Sequence, residues 1–209
     1  MELSVLALFV PASFFASVTP GLCMMLALSL GITLGVRHTL WMMVGELAGV
    51  ALVALAAVLG AAVLMAQYPT VFQVFKYCGG AYLAWVGVQM WRSRGQLAAI
   101  DGGGRGAMRV RPSPKALVAQ GFVTAVANPK GWAFFIALLP PFINQSKPLV
   151  PQLSVLLATI LLLETLCLLI YAGGGQALSR LLERAENVRL INRISGTLML
   201  LVGVWLALS

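Results

Sequence analysis

The chain has 209 residues, of which 60% are hydrophobic and 10% charged, with a formal net charge of +8 and a mean hydropathy of +0.95. Soluble domains carry about 25% charged residues, so in water this chain would expose apolar surface that it could not cover; its solvent is lipid. The positive charge falls in short stretches between apolar runs, not in a basic patch with stacking aromatics, which sets aside nucleic acid as a partner.

A helix needs about 20 apolar residues to cross a hydrocarbon core of about 30 Å, and six stretches reach that length. The expected fold is an all-α integral membrane protein. The first span runs roughly Val5–Leu30 and contains Thr19-Pro20-Gly21. Glu2 stands where a secretory signal would carry basic residues, so this run is expected to stay as a span. Gly31 and Gly35 break the chain before the second span, Thr39–Met65, which carries Glu46. Pro69 precedes the third, Val71–Trp91, where Lys76 lies near enough to the end to snorkel outward.

The long polar stretch Arg92–Lys115 follows. Its run Gly102-Gly103-Gly104-Arg105-Gly106 lacks the strand, the Gly-Lys-Ser/Thr ending and the helix of a phosphate loop. It reads as a flexible basic linker. The fourth span, Ala116–Leu139, contains Asn128-Pro129-Lys130 and ends at Pro140-Pro141. After Pro148 and Pro151, the fifth span Leu153–Gly173 carries Glu164 and stops at Gly173-Gly174-Gly175. Ser179–Asn192, with Arg180, Glu183, Arg184 and Glu186 at helical spacing, is expected as a short interfacial helix leading into the last span, Val188–Leu208. Cys23, Cys78 and Cys167 all lie in apolar runs, and their odd number argues against a disulfide framework.

Positive residues mark the cytoplasmic side. Arg37 follows the first span, Arg92, Arg94, Arg105, Arg109, Arg111 and Lys115 the third, and Arg180, Arg184, Arg189 and Arg193 the fifth, against Lys147 alone on the other side. Both termini are therefore expected on the outer side of the membrane, with the basic loop in the cytoplasm. The third and sixth spans share Gly, six residues, Gly-Val (Gly80 to Val88 and Gly196 to Val204). Pro20 and Pro129 occupy matched places in the first and fourth spans. Three crossings reverse the chain, so the expected plan is one transporter domain, 1–209. It comprises inverted repeats of about 1–92 and 115–209, joined by a linker of about 93–114. Such repeats place a solute site where interrupted helices meet near the midplane.

Proline lacks an N–H and clashes with the carbonyl four residues back, so Pro20 is expected to free the carbonyl of Ala16, and Pro129 that of Ala125. Free carbonyls in hydrocarbon must face protein or a wet cavity, and the half-helix after each proline offers N–H groups to a carboxylate. Charges at span centres cost about 2.5–3.5 kcal/mol. Lys130, Glu164 and, somewhat shallower, Glu46 incur that cost. Either Lys130 forms a structural ion pair with a Glu, or it holds a substrate carboxylate while Glu46 or Glu164 receives the amine or a proton. The spacings Gly31/Gly35 and Gly45/Gly49 allow helices close approach, inside the protomer or at a homodimer seam. No cluster of His, Cys or Asp has metal-ligand spacing, no catalytic constellation is present, and no cofactor is implied.

These residues resemble the lysine-exporter (LysE/RhtB) family of bacterial amino-acid efflux proteins. The resemblance rests on Thr19-Pro20-Gly21, the glycines at 31, 35, 45 and 49, and Gly79-Gly80-Ala81-Tyr82-Leu83 with Trp91-Arg92-Ser93. It continues with Asn128-Pro129-Lys130-Gly131, Phe134-Phe135, Pro140-Pro141-Phe142, Ser195-Gly196 and Gly203. It implies export of amino acids or close derivatives by proton-coupled exchange, with protons as coupling ion and no enzymatic activity. Export of another small solute, such as a metal ion, is the alternative. Where the family continues Thr-Pro-Gly with Pro-Asn, this chain has Leu22 and Cys23, which implies an altered or more hydrophobic substrate preference.

Overall fold

The computed structural model describes residues 3–92, 112–144 and 146–208, so the basic linker's central part lies outside the described residues. Those residues form eight α-helices and one 3-10 turn, with no strand. Helix α1 (Leu3–Val18) is followed by α2 (Leu22–Leu34), α3 (Val36–Gln67) and α4 (Pro69–Arg92). After the linker come α5 (Pro114–Val126), α6 (Pro129–Leu138), the 3-10 turn Pro140–Phe142, α7 (Leu149–Glu183) and α8 (Ala185–Leu208).

The first span expected from sequence is two helices. α1 and α2 meet at an angle of 53° across residues 19–21, because Pro20 removes one helical hydrogen bond and its ring blocks another turn. The fourth span is likewise divided, with Ala127 and Asn128 standing between α5 and α6. Among the described residues Val36–Gly60 and Leu149–Gly175 are long and apolar enough to cross a membrane, and the bent α1–α2 pair makes a third such segment. Large apolar side chains such as Val150, Leu162, Leu201 and Val123 lie exposed on the outside, as lipid-facing surface requires.

The interfacial helix expected over Ser179–Asn192 is not one element. α7 runs on past the glycine run to Glu183, and the glycine run acts as a kink inside it, at Gly175 (φ 46°, ψ −134°). Only glycine takes that backbone conformation without strain. The chain breaks at Arg184, and residues 185–192 are the first turns of α8.

Close helix approach is bought by glycine. α3 packs along α5 and α4 along α8. A Cβ on Gly45 would lie 1.9 Å from the Val118 carbonyl oxygen, and one on Gly121 2.0 Å from that of Met42. Gly31 abuts the Ala172 backbone of α7, and Gly87 of α4 sits against Gly196 of α8. Packing within the protomer thus accounts for Gly31, Gly45 and Gly49, whereas Gly35 (φ 82°) turns the chain between α2 and α3.

Two apolar clusters result. One holds Phe9, Val53, Ala57, Leu138, Phe142 and Leu156; the other holds Met24, Met42, Leu117, Leu168, Tyr171 and Val188. Gly45→Ala and Gly121→Ala should each destabilise the detergent-solubilised protein by about 1–3 kcal/mol, since backbone cannot yield to the added methyl. Gly60, whose Cβ would meet nothing within 4 Å, provides the opposite sign: Gly60→Ala should stabilise by about 0.5–1 kcal/mol. Thermal unfolding of the three variants checks both.

Candidate functional site

The two helix breaks meet, and their backbone groups can be followed one by one. A carbonyl freed by a break needs a donor, because lipid offers none. At the first break the Ala16 carbonyl accepts from Lys130 Nζ at 2.6 Å and the Thr19 carbonyl accepts from the same ammonium at 3.3 Å. The Tyr171 hydroxyl donates to the Val18 carbonyl at 2.8 Å. The Thr19 hydroxyl lies 2.5 Å from the Phe15 carbonyl and 2.6 Å from Ser195 Oγ. The release of Ala16 follows the proline argument; its partner, a lysine from the other half of the chain, does not.

The second break departs from expectation. The Ala125 carbonyl is taken by the Asn128 N–H at 3.2 Å, a tighter local turn. The Val126 carbonyl is the freed one, and the Trp132 indole N–H reaches it at 2.8 Å. Asn128 caps α6, its Oδ1 accepting from the Lys130 backbone N–H at 3.1 Å, with Pro129 at the first helical position, where its missing N–H costs nothing. Its amide nitrogen lies 3.7 Å from Cys23 Sγ on α2. A Cβ on Gly21 would be 3.8 Å from Lys130 Nζ, so the lysine passes beside the first break.

A cavity of about 60 Å³ opens at this junction, lined among others by Ser13, Ser17, Thr19, Cys23, Glu46, Asn128, Lys130 and Glu164, with Val50, Val53, Phe134, Phe135 and Ile160 as apolar wall. Of the residues singled out by sequence, Thr19, Glu46, Asn128, Lys130 and Glu164 reach it directly. Pro20, Gly21 and Pro129 shape its edges as helix punctuation. Tyr171 and Trp132 are not legible in the sequence, being ordinary aromatics until a break turns carbonyls toward them; Ser13 and Ser17 are ordinary hydroxyls until α1 is set against the cavity.

The ion pair offered as a structural reading of Lys130 is not formed: among the described residues its ammonium rests on carbonyl oxygens. Ser17 Oγ donates to Glu164 Oε2. Glu46 is fully buried with Cys23 and Glu164 as its polar neighbours, though neither of its carboxyl oxygens makes a hydrogen bond of normal geometry; the buried hydroxyl of Ser13 makes none either. Buried polar atoms are almost always well paired, and this cavity is where that rule is met least well.

The site lies at the seam of the two apolar clusters. Along α3, Glu46 separates Met42 and Met43 from Val50 and Val53; along α7, Glu164 separates Leu156 and Ile160 from Cys167 and Leu168. At roughly 10–15 Å³ per water the cavity has room for about four or five waters. Its lining brings an amine, two carboxyls, hydroxyls and an apolar wall together. Removing the Tyr171 hydroxyl strands a carbonyl in apolar surroundings. Tyr171→Phe should therefore cost about 1–3 kcal/mol, read as a lowered melting temperature in detergent.

Comparison with known proteins fits this geometry. Residues 14–209 match the family model described as a LysE type translocator. An uncharacterized membrane protein of Vibrio cholerae is 28% identical over 99% of this chain and 98% of its own. A homoserine/homoserine lactone efflux protein of Salmonella typhimurium is 27% identical over 93% of this chain and 92% of its own. A leucine efflux protein of Enterobacter is 28% identical over 79% and 78%. No solved structure matches the chain. The chain belongs to the LysE-type translocator family, and it is a membrane transporter, not an enzyme.

Proposed function

We propose that this protein exports amino acids or close derivatives across the bacterial inner membrane by proton antiport. The observation that carries the reading is the cavity at the paired helix breaks. There Lys130, Glu164, the fully buried Glu46 and Ser13 share one small space. An amine, two carboxyls and hydroxyls against an apolar wall are the groups needed to hold a zwitterion with a side chain. The relatives named for efflux of homoserine, homoserine lactone and leucine support amino-acid-like substrates.

In this reading the chain spans the membrane six times. The broken α1–α2 and α5–α6 pairs each count as one span, and two inverted halves (about 1–92 and 115–209) are joined by the linker of about 93–114. Each half then contributes one interrupted helix to the site, which is how inverted repeats assemble a midplane pocket. Positive residues after odd-numbered spans put the linker in the cytoplasm and both termini in the periplasm. The half-helix N-termini at Leu22 and Pro129, with Asn128 and Lys130, receive the substrate carboxylate. Thr19, Pro20 and Gly21 form the opposite wall.

Glu46 is the better proton carrier of the two carboxyls. Glu164 already has a donor in Ser17, whereas the buried Glu46 has Cys23 and Glu164 as its polar neighbours, and two carboxyls side by side share a proton more readily than they both stay charged. Cys23 lines the cavity where the family pattern carries Asn, and it exchanges a polar contact for a softer one. That supports a solute with an apolar side chain.

The test is efflux from proteoliposomes loaded with radiolabelled leucine or homoserine under an imposed pH gradient. Gradient-dependent flux is expected for at least one of them. Glu46→Gln should remove the gradient dependence while amino acid still exchanges for amino acid across the same vesicles. Flux indifferent to the gradient in the parent protein would refute the antiport reading.

A further inference from the structure

We infer that the carbonyl oxygens of Ala16 and Thr19 form a subsite for a primary ammonium group, occupied in this structure by Lys130 as a tethered stand-in. A substrate's amino group displaces Lys130 from it. The inference deepens the export reading and rests on it for the identity of the substrate.

The subsite is made by the break itself. Pro20 offers no N–H to the Ala16 carbonyl, and residues 19–21 are not helical, so these oxygens project from the C-terminal end of α1. That end carries the negative pole of the helix dipole. An ammonium ion has the matching chemistry: a positive charge and three N–H donors on one small tetrahedral atom. Lys130 Nζ spends two of those donors, at 2.6 Å and 3.3 Å. Glu164 and Ser17 stand on the same cavity and favour a cation there.

The same arrangement makes the exchange electrically cheap for one class of ligand. When a zwitterion's ammonium takes the two carbonyls, Lys130 is released with its charge intact, beside the incoming carboxylate. The site gains no net charge in a medium where an unpaired one is expensive. A simple amine brings a positive charge with no negative partner and so competes poorly while Lys130 is present. An amino acid lacking its α-amino group leaves the carbonyls unpaired, and Lys130 stays where it is.

The experiment uses the full chain with Lys130→Ala and, as a second variant, Lys130→Met, both purified with ethylammonium chloride present throughout. The readout is the melting temperature in detergent as ethylammonium is removed and titrated back. Tetramethylammonium chloride, which has the charge but no N–H, is titrated in parallel. The expected result is a saturable rise of about 3 °C or more with ethylammonium in at least one variant, no such rise with tetramethylammonium, and little response of the parent protein to either. Equal responses to the two salts, an equal response in the parent, or failure of both variants to fold in ethylammonium would overturn the inference. Because the assay reads stability and not flux, it can fail while amino-acid export stands, and export can fail while the ammonium subsite stands.

Discussion

One ammonium group holds the centre of this protein together. Lys130 begins on α6, in the second half of the chain, and ends on two carbonyls exposed by the broken helix of the first half. In a bilayer each side of that contact would be unfavourable alone. A lysine at span centre costs about 2.5–3.5 kcal/mol on insertion scales, and an unpaired carbonyl costs several kcal/mol more. Together they cancel much of each other's penalty, and so the two breaks come to lie against each other. Tyr171, Ser195 and Trp132 do the same for the Val18 carbonyl, the Thr19 hydroxyl and the Val126 carbonyl.

The surrounding fold gives that polar junction its setting. Glycines at 31, 45, 87, 121 and 196 bring the backbones of α2 and α7, α3 and α5, and α4 and α8 into contact. Apolar clusters close the cavity along both α3 and α7. Opening would have to part packed helices, and the glycine kink at Gly175 and the turn at Gly35 are places where the backbone already departs from helix.

Much of this was legible in the sequence, for a specific reason: proline and charge act through local rules. Pro20 and Pro129 forecast the interruptions of their spans, and the depth of Lys130, Glu46 and Glu164 forecast a polar centre. What escaped was the partner of each group. For Lys130 the sequence offers a glutamate or a substrate carboxylate as partner, and the structure sets it on two backbone carbonyls instead of a glutamate. Carbonyls at a break are invisible in a string of apolar letters. The Ala125 carbonyl was likewise expected to be free, but Asn128 can fold its own N–H back onto it. The segment Ser179–Asn192 was misread as one helix because charge spacing continues smoothly across Arg184, while the backbone does not.

The contact between the two broken helices in the membrane is the claim on which the account stands. It can be tested with Asn128→Cys beside the native Cys23, in a chain with Cys78 and Cys167 replaced by Ser and a protease site placed within 93–111. Asn128 Nδ2 and Cys23 Sγ are 3.7 Å apart, close enough for oxidation or a mercuric ion to join the two sulfurs after small adjustments. After cleavage in native membranes the halves should migrate together under non-reducing conditions and separate on reduction. Halves that separate without reductant, while a Cys23→Ser control behaves identically, would contradict it.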